Sequence, residues 1–529
     1  MNGDQEKGHA SLERVPSGVP GLDLILSGGF LRGGTYIVSG APGTGKTILG
    51  NQLCFHHVAT GGRVAYVTLL AESPARMLSL LGTMSFFDPA PIASSLMYVS
   101  AYKTLEQEGL PGFLEFLRRA VHEHKATLLM IDGLVSAEAV AESELAFKKF
   151  IHELHTMVTY MECTTFLLTN GTARTVQPES TMVDGLIELS DQLIGLRAVR
   201  ELVVRKFRGS SHLRGRHMFR IGPDGVRIYP RREEVVRQAL VEPGCPDGLL
   251  AFGVPEFDAM LHGGLRAGST TLLLGPSGSG KTILGLHFLA AGARERERGL
   301  YFSFFESPER VVAKSERIGL GFTSLVERGD IEIQWQPLTD LLIDELAEQV
   351  LTLVQRRQVR RLVIDGLGGF KETAVYPERI LRFFAAFVNE LRALGVTTLL
   401  IEESRQLFGA EVEIPVSGLS AIFENVIFLR QVELGSKLRR LISIIKTHDG
   451  AHETELREFF ISKKGLTLAS TFGSAESVLS GLAHQAPGSA PQRSQGASRS
   501  AKPRKDEPSP AKPKRNTKPK PKPGTRRKR

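Results

Sequence analysis

Cysteine is scarce in this chain: three in 529 residues, Cys54, Cys163 and Cys245, far apart and in no CxxC pair. That usage excludes a disulfide scaffold and paired-cysteine zinc sites, and it suits a reducing cytoplasm. No apolar run approaches the ~20 residues needed to cross a bilayer. The polar opening MNGDQEKGHASLER holds no apolar segment of the signal-peptide kind. The expectation is a cytoplasmic protein with no membrane span. Acidic residues are nearly missing from residues 493–529, where 15 Lys or Arg face only Asp506 and Glu507. That stretch carries a surplus of 13 positive charges against a total of +9, which leaves the other 492 residues at −4. The body is mildly acidic and the basicity is local.

What the chain does contain is itself, twice. Residues 18–53 read GVPGLDLILSGGFLRGGTYIVSGAPGTGKTILGNQL, and residues 253–288 read GVPEFDAMLHGGLRAGSTTLLLGPSGSGKTILGLHF. The offset is 235 without a gap, the mark of a duplicated domain. Short runs rich in β-branched residues (TYIVSG, RVAYVTLL, TLLMID, TTFLLTN) alternate with helical patterns such as GFLEFLRRAVHEH. The second half repeats the alternation with TTLLLG, GLYFSFF, RLVIDG and TTLLIEE. Near-continuous apolar strands between helices imply an α/β fold with buried, mostly parallel sheets. The expected organisation is two tandem P-loop domains at 12–232 and 248–470, a charged linker at 233–247 and a Lys/Pro-rich tail at 471–529. The tail lacks the apolar residues that would offset ordering entropy, so disorder is expected there.

Two stretches match GxxxxGK[ST]: GAPGTGKT at 40–47 and GPSGSGKT at 275–282. Each follows a strand and opens a helix, the context that gives the motif meaning. Gly40, Gly43, Thr44 and Gly45, and in the second copy Gly275, Gly278, Ser279 and Gly280, let backbone N–H groups converge on phosphate at a helix N-terminus. Lys46 and Lys281 are expected to reach the β- and γ-phosphates of ATP, and Thr47 and Thr282 to hold Mg²⁺. Apolar runs ending in Asp132 and Asp365 sit 233 residues apart and fit the strand that supplies the second metal ligand.

With these motifs the sequence resembles the KaiC family of tandem RecA-like ATPases, whose type member is a circadian-clock ATPase and autokinase. The lead-in PSGVPGLD, the stretch KFRGSSHLRG at 206–215 and REFFISKKGL at 457–466 carry the resemblance further, over about residues 12–468. It implies a hexamer of stacked double rings with ATP between subunits. Lys206 and Arg208 fall on the family's K-x-R positions, which reach the γ-phosphate held by a neighbour. In the second half the lysine survives as Lys446, but the arginine position is His448, and an imidazole does not replace a guanidinium fork. The family's adjacent glutamates after the second strand are reduced to one in each half. Ala71 and Phe305 stand at the first position, leaving Glu72 and Glu306 as candidate bases. The carboxylates of Glu402-Glu403-Ser404 follow a later strand and resemble that motif in composition only. The family's Ser-Thr phosphoacceptor pair aligns with Ser420 and Ala421, so either Ser420 is a sole acceptor or it is a serine bonded to backbone.

The resemblance and the residues leave three functions open. One is an oligomeric signalling ATPase with weak Ser/Thr autokinase activity. The second is a hydrolysis-poor, nucleotide-gated scaffold, and the third a DNA-processing RecA relative. The tail segments KPRK, KPKR, KPKPKP and TRRKR favour extended chain and suit non-specific nucleic acid, an acidic protein or anionic headgroups, or serve solubility alone. A phosphate-backbone contact would weaken steeply with salt. There is no aromatic residue in the tail to stack on single strands.

Overall fold

The computed structural model describes residues 13–70, 74–171, 182–238, 248–404, 419–434, 437–447, 452–453 and 455–469. Glu72, His448, the linker from 239 to 247 and the basic tail lie outside the described residues, and of Ser420 only its place in the short helix Leu419–Ile422 is described.

Each half builds one nine-stranded sheet, mostly parallel at its centre. In the first lobe the spatial order runs Gly225–Tyr229, His217–Gly222, Arg197–Phe207, Gly185–Ile194, Thr35–Gly40, Thr164–Thr169, Leu128–Asp132, Val64–Thr68 and Leu96–Ser100. The second lobe repeats it: Gly465–Leu468, Arg457–Ser462, Lys437–Lys446, Asn425–Leu434, Thr270–Gly275, Thr397–Glu403, Arg361–Asp365, Gly299–Ser303 and Ile331–Trp335. The central strands are parallel because each is buried on both faces: TYIVSG and LLMID have no exposed residue. The outer four on one side form antiparallel hairpins, and there burial alternates, with buried and half-buried residues taking turns along the start of Gly185–Ile194.

Helices cover both faces. In the second lobe the P-loop helix Lys281–Arg294 packs Leu284, Leu286 and Leu289 with Leu273, Val363, Leu399 and Ile401. On the opposite face Leu272, Ile364 and Leu400 meet Phe370, Phe383 and Phe387. The first lobe divides in the same way.

Both lobes belong to one compact unit. The seam between them is dense in charge. The helix Arg232–Gln238 opens the expected linker, and its Glu233 accepts from Arg379 of the second lobe at 2.8 and 2.9 Å. Arg379 also grips Asp344, wholly buried, at 3.0 Å. Arg220 meets Glu345 at 2.8 Å, Arg227 meets Glu348 at 2.7 Å, and Tyr376 donates to the buried Glu201 at 2.6 Å.

Candidate active sites

The first site forms where strand Thr35–Gly40 turns into helix Lys46–Ala59. The turn needs left-handed backbone before the helix: φ is 98° at Gly45 and 105° at Gly280, values that favour glycine. Lys46 folds back over the loop and donates to the carbonyls of Gly40 and Ala41 at 2.8 and 2.9 Å. Lys281 repeats this on Gly275 and Pro276, both at 2.7 Å. Thr44 steadies the first loop through Ala41 O at 2.9 Å. The sequence-identified loop residues 40–47 and 275–282 therefore come together at the start of a helix in both lobes, with the lysine lying across the loop.

The residues expected to hold the metal also converge. Thr47 Oγ1 donates to Asp132 Oδ2 at 3.0 Å, and Thr282 Oγ1 to Asp365 Oδ2 at 2.8 Å. A hydroxyl beside a carboxylate, one step from the phosphate loop, is a hard-oxygen donor pair of the kind Mg²⁺ takes from protein while keeping water and phosphate oxygens. The residues fit that ion. Burial lowers the proton affinity of Lys46, with Asp132 opposing. Burial does the same to Lys281, opposed by Glu403, Asp365 and Glu402 in that order. Burial raises the Asp365 carboxyl, while hydrogen bonds from Tyr301 and Thr282 favour its charged form.

Those tyrosines were not singled out from the sequence. Tyr66 OH donates to Asp132 Oδ2 at 2.8 Å, and Tyr301 OH makes the same bond to Asp365 Oδ2. Their signal was present: Tyr66 and Tyr301 obey the 235-residue offset of the repeat. The first lobe extends the chain, with Tyr98 OH donating to Asn51 Oδ1 at 2.7 Å and Asn51 Nδ2 to Tyr66 OH at 3.3 Å. In the second lobe the matching helix position is Leu286, so that extension is absent.

Around the second loop lies a cleft of about 630 Å³ lined by Lys281, Thr282 and Asp365 together with Phe305, Glu306, Glu402 and Glu403. Phe305 is 60% exposed. Glu306 reaches the cleft but both its oxygens are held by Lys314, at 2.5 and 2.6 Å. Glu402 and Glu403, set aside as a compositional likeness, stand level with Leu274 and Gly275 on the strand beside the P-loop strand. They belong to the site.

Lys206, Arg208 and Lys446 do not approach the P-loop of their own lobe. Lys206 pairs with Leu186, one residue beyond the Gly185–Tyr36 level, whereas the loop begins at Gly40, level with Leu189. Three residues separate the levels, ~10 Å along the sheet, and a strand lies between. Lys446 pairs with Val426, level with Leu272, the same distance before Gly275. Both lysines follow a register irregularity, between Leu186 and Ile187 and between Val426 and Ile427. Such bulges re-aim side chains at sheet margins. Burial and the neighbouring Arg208 lower the proton affinity of Lys206, and Asp184 opposes them.

A protein-family model for the KaiC ATPase matches residues 15–233 and 250–471. Three similar proteins are each named circadian clock oscillator protein KaiC. That of Synechococcus elongatus is 24% identical over 487 residues, covering 89% of this chain and 92% of the relative. That of Thermosynechococcus vestitus is 24% identical over 494 residues, covering 90% and 93%. That of Rippkaea orientalis is 23% identical over 488 residues, covering 89% and 91%. Among the described residues no helix is long and apolar enough to cross a membrane.

Proposed function

Since this chain belongs to the KaiC ATPase family, we propose that residues 12–232 and 248–470 each bind ATP·Mg²⁺, and that copies of the chain assemble head to tail, as a hexamer, to complete one another's sites. The observation that carries this reading is the recurrence of one constellation in both lobes: lysine on the loop carbonyls, threonine on the strand aspartate, tyrosine on the same oxygen. In each subunit the loop residues bind the phosphates, Thr47 and Asp132 or Thr282 and Asp365 hold the metal, and Lys46 or Lys281 neutralises the terminal phosphate charge. A bound Mg²⁺ would supply charge neutralisation on the phosphates. The opposite placement of Lys206, Arg208 and Lys446 supports their action on a neighbour's nucleotide. Glu72 is the candidate for orienting water in the first lobe. Intracellular signalling is the context this chemistry suits, with Ser420 a candidate acceptor for weak autophosphorylation and the tail of residues 493–529 a contact for nucleic acid or an acidic protein.

Steady-state hydrolysis by the full chain beside Lys46→Ala and Lys281→Ala tests the reading. Each substitution is expected to remove the turnover of its own lobe, and the pair together nearly all of it. A purified protein that neither binds ATP nor assembles with it would end the proposal. A second reading, a nucleotide-gated scaffold, draws on Phe305 and on the capture of Glu306 by Lys314. ATP binding without turnover in the unaltered protein would favour it.

A further inference from the structure

Among the described residues, the carboxylate of Glu403 in the second cleft makes no hydrogen bond or ion pair. Side chains alternate across strand Thr397–Glu403, so Glu402 and Glu403 leave it on opposite faces. Leu400 packs away from the P-loop helix, with Ile364 and Phe370. Glu402 shares that face, where it is 7% exposed and bound by Lys371. Leu399 and Ile401 pack on the P-loop helix side, with Leu284 and Val363. Glu403 shares this second face, on which Thr282 meets Asp365, and it is exposed to the cleft that Lys281 lines. Its backbone is level with Gly275, where the phosphate loop begins. Of the charges that act on Lys281, that of Glu403 is the strongest.

The rival carboxylates are lost or engaged. Phe305 stands two residues after strand Gly299–Ser303, where the family resemblance places a glutamate, and Glu306 is held through both oxygens by Lys314. In the first lobe the strand position level with Ser39 is Thr169, followed by Asn170, so the matching pair is neutral there. The carboxylate is a property of the second site alone.

We propose that Glu403 is the general base of the second site, taking a proton from the water that attacks the terminal phosphorus of ATP. A bond forms from the water oxygen to phosphorus, and the bond from phosphorus to the bridging oxygen of ADP breaks. The water proton passes to the Glu403 carboxylate and then to phosphate or solvent, and ADP and inorganic phosphate leave. The inference rests on the reading that the second P-loop binds ATP.

The full chain carrying Lys46→Ala isolates the second site. Adding Glu403→Gln is expected to lower phosphate release about a hundredfold or more while binding of a fluorescent ATP analogue persists, and Glu403→Asp to restore part of it. A readout independent of turnover uses the chain with Lys46 intact: nucleotide extracted from Glu403→Gln protein should contain more ATP and less ADP than that from the parent. Three results would overturn the proposal. One is undiminished release in Glu403→Gln. Another is faster release, which would make the carboxylate only a source of repulsion. The third is a Lys46→Ala protein that binds ATP yet releases no phosphate dependent on Lys281. Loss of ATP binding at both loops would instead remove the functional reading beneath it.

Discussion

Two hydroxyl donors share one carboxylate oxygen in each lobe, and removing one of them isolates what it contributes. Tyr66→Phe keeps the ring in the core and deletes the donor to Asp132, together with the 3.3 Å bond that the hydroxyl accepts from Asn51. A hydrogen bond to a buried charged group contributes roughly 1.5–3 kcal/mol. Equilibrium denaturation of Tyr66→Phe should show a loss in that range, and magnesium titration of ATP binding should shift to higher concentration as Asp132 loses its brace. Tyr301→Phe should behave alike through Asp365. An unchanged midpoint in both variants would show that the tyrosine is dispensable to the aspartate. At this scale the sequence was generous where chemistry is local. GAPGTGKT, GPSGSGKT and the strand-ending aspartates stand out because each motif is contiguous and recurs in register. Glu403 was not legible in the same way. Its nearness to Lys281 depends on strand Thr397–Glu403 crossing back to lie between the Asp365 strand and the P-loop strand, a non-local pairing that no short motif encodes.

Among the elements, the closing hairpin of each lobe is tied to the P-loop helix by one polar side chain, and the two lobes use different residues. Gln52 bonds the backbone of Val226 through Oε1 at 2.8 Å and Nε2 at 3.2 Å. Its counterpart at the 235-residue offset is His287, whose Nε2 accepts from Leu466 N–H at 3.0 Å. Burial holds the His287 imidazolium down to about 4, so the folded ring is neutral where an unfolded histidine begins to charge. The folded pKa lies below the unfolded value of about 6.5, so stability is full above that pH and falls as pH drops from about 6.5 towards 4. The fall amounts to about 3 kcal/mol for such a shift. His57 and His217 are buried with the same displacement, to about 4. Denaturant midpoints for His287→Gln, which copies the first lobe, should match the parent near pH 7 and decline less steeply on acidification. An identical slope would place the pH response elsewhere. The alternation of β-branched runs and helices made the parallel core readable in advance. Helix Arg232–Gln238 overlaps the start of the charged stretch expected as linker from 233, and its Arg232 and Glu233 find partners in Glu390 and Arg379 that lie far along the chain.

Across the whole molecule, the seam between lobes joins a small apolar cluster, Val199, Met218 and Tyr229 with Leu342, to a network of charge. Burial pushes the Glu233 carboxyl up, but Arg379 and Arg231 outweigh it and hold it at about 2. Burial raises the Asp344 carboxyl, with Arg379 opposing. Arg379→Ala would leave the buried Asp344 without its cation and Glu233 with Arg231 alone, a change that costs about 3–5 kcal/mol. Chemical unfolding of that variant should resolve into two transitions as the lobes uncouple, and a single transition at the parent midpoint would show that the seam does not depend on this residue. The same scale gives the opposed placement of the phosphate loops and of Lys206 and Arg208 a consequence for mixed assemblies. If each site is built from two subunits, defects in its halves can be carried by different chains of one assembly. Lys46→Ala chains and chains carrying Lys206→Ala with Arg208→Ala would each lack working first-lobe sites. Co-assembled in equal amounts, they would complement, regaining about a quarter of those sites by random arrangement around a closed ring, whereas either mutant mixed equally with the wild type would keep about half.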